Sequence, residues 1–213
     1  MEADALLGGP YLYSRLGRFD EARRRLARSK ALSCELGIRY NLAEAHAAGA
    51  QMELLAEDPA AAERELRAAI DVVAEMGAQR YVSLYRIRLA HVLVTMGRDD
   101  DARAALELER ARMAQAVGFK MAHARLLARA QRTEEAVALA REAVHSMAHS
   151  DDLTSRAELL TWLGELLSAA ADATGATAAL AEAMQLHEEK GNVLPAQRCR
   201  ELLAATGVVS GSS

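Results

Sequence analysis

Little in this sequence can build a β-sheet. Aromatic residues are 4% of the 213-residue chain, and few runs of β-branched or aromatic side chains exist to feed strands. Proline occurs only 3 times and glycine 13 times. No charge of one sign dominates, since the formal net charge is -4, so nucleic acid is not expected as the main partner. No apolar stretch approaches the roughly eighteen residues that span a membrane. The opening MEADALLGGP lacks the basic start and long apolar region of a signal peptide. Cys34 and Cys199 lie far apart in apolar-periodic segments and read as reduced thiols, which suits a cytoplasmic location. What is abundant is apolar residues, 51% of the chain and much of that alanine, which favours helices.

The alanines repeat. Ala22, Ala62, Ala102, Ala136 and Ala176 each stand five residues after a turn position: Gly17, Glu57, Gly97, Gln131 and Ala171. Their intervals are 40, 40, 34 and 40 residues. Leu26, Leu66, Leu106 and Leu180 follow four residues later, with Ala140 in the fourth unit. This period fits a helical hairpin repeat, in which a small residue lets two helices approach and a leucine fills the adjacent space.

First helices are expected near 3–15, 39–55, 79–95, 119–130 and 153–169, and second helices near 19–36, 59–76, 99–116, 133–148 and 173–189. A last helix, 193–205, carries the apolar stripe Ala196, Cys199, Leu202 and Leu203 and should cap the array. Pro10 is expected to kink or restart the first helix. Pro59 opens a helix where its missing N–H costs nothing, and Asp20, Glu21 and Asp99 to Asp101 place negative charge at helix starts. Gly37, Gly77, Gly118 and Gly191 read as left-handed helix stops. The expected fold is all-α: a right-handed superhelical array of about five antiparallel hairpins (3–36, 39–76, 79–116, 119–148, 153–189) plus the cap. It would form a single domain over 1–205, with 206–213 a flexible tail.

This spacing resembles the tetratricopeptide repeat. Trp162-Leu163-Gly164 falls where that repeat often pairs a large residue with a small one, and Gly164 precedes Ala176 by twelve residues. Ala50, Ala90 and Ala124 occupy the same place in three other units, whereas Pro10 departs from the pattern in the first. GRFDEARRRL, EDPAAAERELRAAI, LAREAV and LHEEKGN further resemble the C-terminal repeat region of large bacterial regulators. Those proteins join a nucleotide-cyclase-like or helix-turn-helix domain to an ATPase module. The resemblance implies a protein-binding role in signalling or transcription regulation, and it carries no catalytic residue onto this chain.

No Gly-rich phosphate loop ending in Gly-Lys-Ser/Thr is present, nor HExxH, CxxC or GxSxG. His145 and His149 share a helix face beside Asp151 and Asp152, but such groups are ordinary near a helix end, so no metal site or cofactor is expected. Glu188 and Glu189 point about 100° apart and cannot act as an acid–base pair. Arg23, Arg24, Arg25 and Arg28 read as a solvated outer face. In stacked hairpins the first helices line the concave side. Counting back from the small residues places Tyr11, Arg15, Gln51, His91, Arg125 and Arg129 toward that groove, with Leu84, Ile87, Met121 and Glu165 sharing it. A basic and polar track with apolar patches suits an extended segment or helix with acidic side chains. The expected function is therefore a non-catalytic scaffold that binds a peptide segment or a neighbouring signalling or ATPase domain, with self-association a further option. The alternative is an enzyme with a dispersed carboxylate and histidine site between helices.

Overall fold

The computed structural model describes the backbone of residues 2–210 and the side chains of residues 9–206. Among the described residues there are eleven helices and no strand. They are α1 (Glu2–Arg15), α2 (Phe19–Glu35), α3 (Arg39–Leu55), α4 (Pro59–Glu75), α5 (Gln79–Thr95), α6 (Asp99–Met113), α7 (Val117–Arg129), α8 (Thr133–Ser146), α9 (Leu153–Ala169), α10 (Ala173–Glu189) and α11 (Val193–Ser210). Consecutive helices pair as hairpins, α1 with α2 through α9 with α10.

The alanine register is the packing register. Ala22, Ala62, Ala102, Ala136 and Ala176 are all fully buried, and Leu26, Leu66, Leu106 and Leu180 are nearly so. Each second helix buries one stripe at helical spacing, such as Ala62, Leu66, Ala69 and Val73 in α4. First helices bury most of their circumference. In α5 the buried set includes Val82, Ile87, Leu89, Ala90, Val92 and Val94, because helices of two hairpins pack against it. The interior is thus a series of helix interfaces, not one central core.

One turn geometry recurs eight times. At Arg18, Ile38, Asp58, Ala78, Arg98, Arg132, Asp172 and Asn192 the backbone N–H donates to the carbonyl five residues earlier, at 2.8 to 2.9 Å. This is the Schellman closure, which satisfies carbonyls orphaned at a helix end and needs a left-handed residue just before the donor. Gly17, Gly37, Gly77, Gly97 and Gly191 supply it, with φ between 66° and 77°. Glu57, Gln131 and Ala171 supply it with φ of 60° to 61° despite carrying a Cβ. Asp58 and Asp172 then cap the following helix by accepting from Ala61 N and Gly175 N. Arg18, Arg98 and Arg132 hold the same place and donate to Glu21, Asp101 and Glu135 three residues on.

Four expectations need correction. Gly118 is not a helix stop: it lies in the first turn of α7, and the chain passes from α6 to α7 through 114–116 without a left-handed residue. Pro10 does not restart α1, which runs through it. Ile87 and Met121 belong to the packed interior and not to an open face: both are buried, and Met121 lies in a cluster with residues of α8 and α9. The last helix extends past Ala205 to Ser210, so the expected tail begins inside α11, and residues 211–213 lie outside the described residues.

The chain divides into two compact units, Met1–Met113 and Ala114–Ser213, where a single domain over 1–205 was expected. The first unit holds α1 to α6, and the second holds α7 to α11. The division falls where the period slips to 34 residues, because α6 has 15 residues and α7 has 13, against 17 in α3, α4 and α5. In the second unit α8 has only 14 residues, but the connection 147–152 makes up the length. There α11 packs on α9 and α10, burying Ala196 and Cys199.

Candidate protein-interaction surfaces

Within each unit the first helices approach one another. Contacts join α1 to α3 in the first unit, and α7 to α9 and α9 to α11 in the second. The second helices reach the next hairpin mainly through its first helix, as α2 does with α3 and α8 with α9. First helices therefore form the inner layer of each unit, and their outward positions are the ones a bound segment would meet.

The expected groove residues fall in different environments. In the first unit, Arg15 is only 2% exposed, and its guanidinium stacks 4.2 Å from the Tyr11 ring centroid while donating to the Tyr11 hydroxyl. The i,i+4 spacing in α1 makes that stack, with Arg15 buried and Tyr11 half-buried. Gln51 on α3 is half-buried. His91 on α5 is buried, and its carbonyl accepts from the Thr95 hydroxyl at 3.1 Å.

The neighbouring part of α3 and α5 is aromatic. Tyr40 and Tyr81 meet edge to face with centroids 5.2 Å apart, and Tyr81 lies 6.4 Å from Tyr85. The Tyr85 hydroxyl donates to Glu44 at 2.5 Å. The Tyr40 phenol is pushed up to about 12 by its bond to Tyr81, by burial and by the Glu44 charge, so it stays a neutral donor at physiological pH. Burial and Glu44 push Tyr85 up as well.

In the second unit Arg125 and Arg129 stand one turn apart on α7. The Arg125 guanidinium lies 5.6 Å from the Trp162 ring centroid on α9. One turn beyond Trp162, Glu165 accepts from Arg198 of α11 at 2.7 Å. Burial pulls Arg125 below its ordinary value; Glu165 opposes that shift, and Arg198 and Arg129 add to it. Below this layer the Thr161 hydroxyl and the Cys199 thiol meet at 3.3 Å, fixing α11 against α9. Three guanidinium groups are thus gathered near the Glu165 carboxylate and the Trp162 indole. Sequence reasoning placed Arg125, Arg129 and Glu165 on this face. It read Trp162 only as a framework position and passed over Arg198, although Trp162 sits one helical turn from Glu165 and Arg198 faces it from the capping helix.

Two open clefts lie elsewhere on the second unit. One, of about 400 Å³, is lined by Arg141, Val144, His145, Arg156, Leu163 and Glu182, and Arg156 pairs with Glu182. The other, of about 630 Å³, contains Asp172, whose carboxylate is engaged by Gly175 N and Arg141. Among the described residues no three His, Cys, Asp or Glu are grouped to hold a metal ion, and no disulfide joins Cys34 to Cys199. No helix of the described residues is long and apolar enough to cross a membrane.

No family model matches the chain, and no curated protein matches it in sequence. Solved structures do match. BtubC from P. vanneervenii is 17% identical with a TM-score of 0.56, over 84% of this chain and 77% of that one. A kinesin light chain-type protein of nearly identical tetratricopeptide-like repeats from Podospora anserina is 15% identical with a TM-score of 0.55, over 89% and 96%. The fold is a tetratricopeptide-like helical repeat. A signal-transduction ATPase with a tetratricopeptide repeat sensor from Pyrococcus horikoshii is 12% identical with a TM-score of 0.58, over 95% of this chain and 36% of that one. This tetratricopeptide-like chain therefore spans about a third of the length of that ATPase.

Proposed function

We propose that this chain is a non-catalytic scaffold that binds acidic segments of other proteins on the face formed by α7, α9 and α11 of its second unit. The observation that carries this reading is the gathering of Arg125, Arg129 and Arg198 around Trp162 and Glu165. Three positive groups and an indole share this face, and the partial burial of Arg125 strengthens the attraction for a carboxylate brought beside it. A bound segment can supply that carboxylate, and Trp162 offers an apolar face to a neighbouring side chain. Acid–base catalysis would instead require two carboxylates facing one cleft. In the first cleft Glu182 is the one carboxylate and pairs with Arg156; in the second, Asp172 is held by Gly175 N and Arg141, which leaves Glu134 without a second carboxylate available for such work.

The likeness to a repeat sensor in a multidomain ATPase supports a place for this chain beside a signalling or ATPase domain, as the sequence resemblance to bacterial regulators also suggests. The test is binding of a fluorescent peptide with several Glu residues and one Leu, kept extended by interspersed prolines so that it cannot form a helix. Arg125→Glu with Arg129→Glu should weaken it by more than about tenfold, and added salt should weaken the wild-type complex. Arg24→Glu with Arg28→Glu, on the exposed face of α2, should leave it unchanged. Equal loss in both double variants would mean unspecific charge attraction, and no loss in the first would end the reading.

A further inference from the structure

The first unit carries a second surface of a different build. Arg80, Leu84 and Arg88 are spaced four residues apart on α5 and therefore share one face. All three are exposed, Leu84 by 37%. Most arginines of this unit spend their charge inside it: Arg23 on Glu53, Arg39 on Glu75, Arg86 on Glu109 and Arg98 on Glu63. Arg80 and Arg88 have no ion-pair partner among the described residues.

Unpaired arginines alone would mean little, since Arg24, Arg28 and Arg64 on the second helices are exposed in the same way. The difference is what lies beside them. Leu84 stands between Arg80 and Arg88, and Tyr81 is flanked by Tyr40, itself 41% exposed. Glu44 in the aromatic cluster is engaged by the Tyr85 and Tyr40 hydroxyls. The face thus presents an apolar and aromatic centre with one cation at each end, about 12 Å apart along the helix axis.

We infer that this α3–α5 face docks an amphipathic acidic helix of another protein, one with two carboxylates eight residues apart and a large apolar side chain midway between them. A helix laid along α5 brings its carboxylates to Arg80 and Arg88, and its apolar residue covers Leu84 and the Tyr40–Tyr81 pair. The eight-residue spacing matches because both helices rise by the same amount per residue. This site is independent of the arginine cluster on α7, α9 and α11.

The experiment uses the full chain and a labelled helical peptide with Glu at both ends of a Glu-x3-Leu-x3-Glu core and neutral residues elsewhere. Binding is read by fluorescence anisotropy. Arg80→Gln with Arg88→Gln keeps helix-forming side chains and should lower affinity by more than about tenfold, as should Leu84→Ala in lesser degree. A peptide with Lys in place of both Glu should not bind, and one with the two Glu six residues apart should bind more weakly. Arg125→Glu with Arg129→Glu should leave this interaction intact, which separates it from the second-unit site. Unchanged binding in the Arg80/Arg88 variant overturns the inference, and so does equal binding of both peptide spacings. Self-association of the chain that is lost in that variant would assign the face to a second copy and overturn it as well.

Discussion

Gly164 of α9 and Leu180 of α10 occupy the same space at their helix crossing: a Cβ on residue 164 would lie 2.5 Å from Leu180 Cγ. Leu180 is itself 1% exposed and has nowhere to retreat. Alanine is the better helix former by about 1 kcal/mol, yet Gly164→Ala should destabilise the protein by about 1–3 kcal/mol through overpacking. Pairing it with Leu180→Ala should recover part of the loss. Denaturant midpoints of the two variants check this, and a stabilised Gly164→Ala would show that the crossing yields.

Glu109 offers a different kind of stress. It is 0% exposed and is paired to Arg86 at 2.8 Å. The corresponding residues of the other second helices are Ser29, Ala69, Ala143 and Ala183, all buried and none of them charged. Arg86→Met should cost about 3–5 kcal/mol, because it strands a buried carboxylate. Adding Glu109→Ala should restore most of that stability. A double-mutant cycle by urea unfolding measures the coupling, and additive losses would refute it.

Acid should loosen the first unit at a defined place. Glu65 accepts from Lys30 of α2 and from His46 of α3, each at 2.6 Å, so one carboxylate joins three helices. Burial raises its proton affinity, but the His46 and Lys30 bonds outweigh that and leave it below the ordinary carboxylate value. A carboxylate lowered in the folded state stabilises above its unfolded value, near 4.5, and loses that contribution as pH falls through the folded one. Wild type should therefore lose more stability than Glu65→Gln between pH 6 and pH 3. Parallel melting curves for the two proteins across that range would contradict the assignment.

Periodicity made the helices legible, because the first three positions of the buried stripe Ala22, Leu26, Ser29 and Ser33 recur in every second helix, with Glu109 the one charged member, and the fourth recurs in α4 and α10. The five turn positions were legible even at Glu57, Gln131 and Ala171, where no glycine marks them, since the alanine count fixed them. Gly118 shows the converse: it stands near the expected stop, but the shortened α6 and α7 move the boundary away from it. Side-chain direction was less accessible. Arg15 stands in line with groove positions but folds back over Tyr11 four residues earlier, a choice set by local stacking and not by register. Arg198 is not legible in the sequence, because its partner Glu165 lies 33 residues away and the pattern of its own helix marks only the apolar stripe.

The eightfold Schellman turn has a further consequence for how such a chain can change length. The same closure ends first and second helices alike, so the counting unit is a single helix with its turn, about half a hairpin. Inserting one such element would exchange the inner and outer layers for everything downstream, turning every partner-facing side chain to the far side. Inserting two restores the alternation. The period slip at residues 113–117 obeys this parity: it shortens both α6 and α7 but removes neither. Growth or loss in this architecture is thus quantised in pairs, while helix length and loop length can trade freely within a pair.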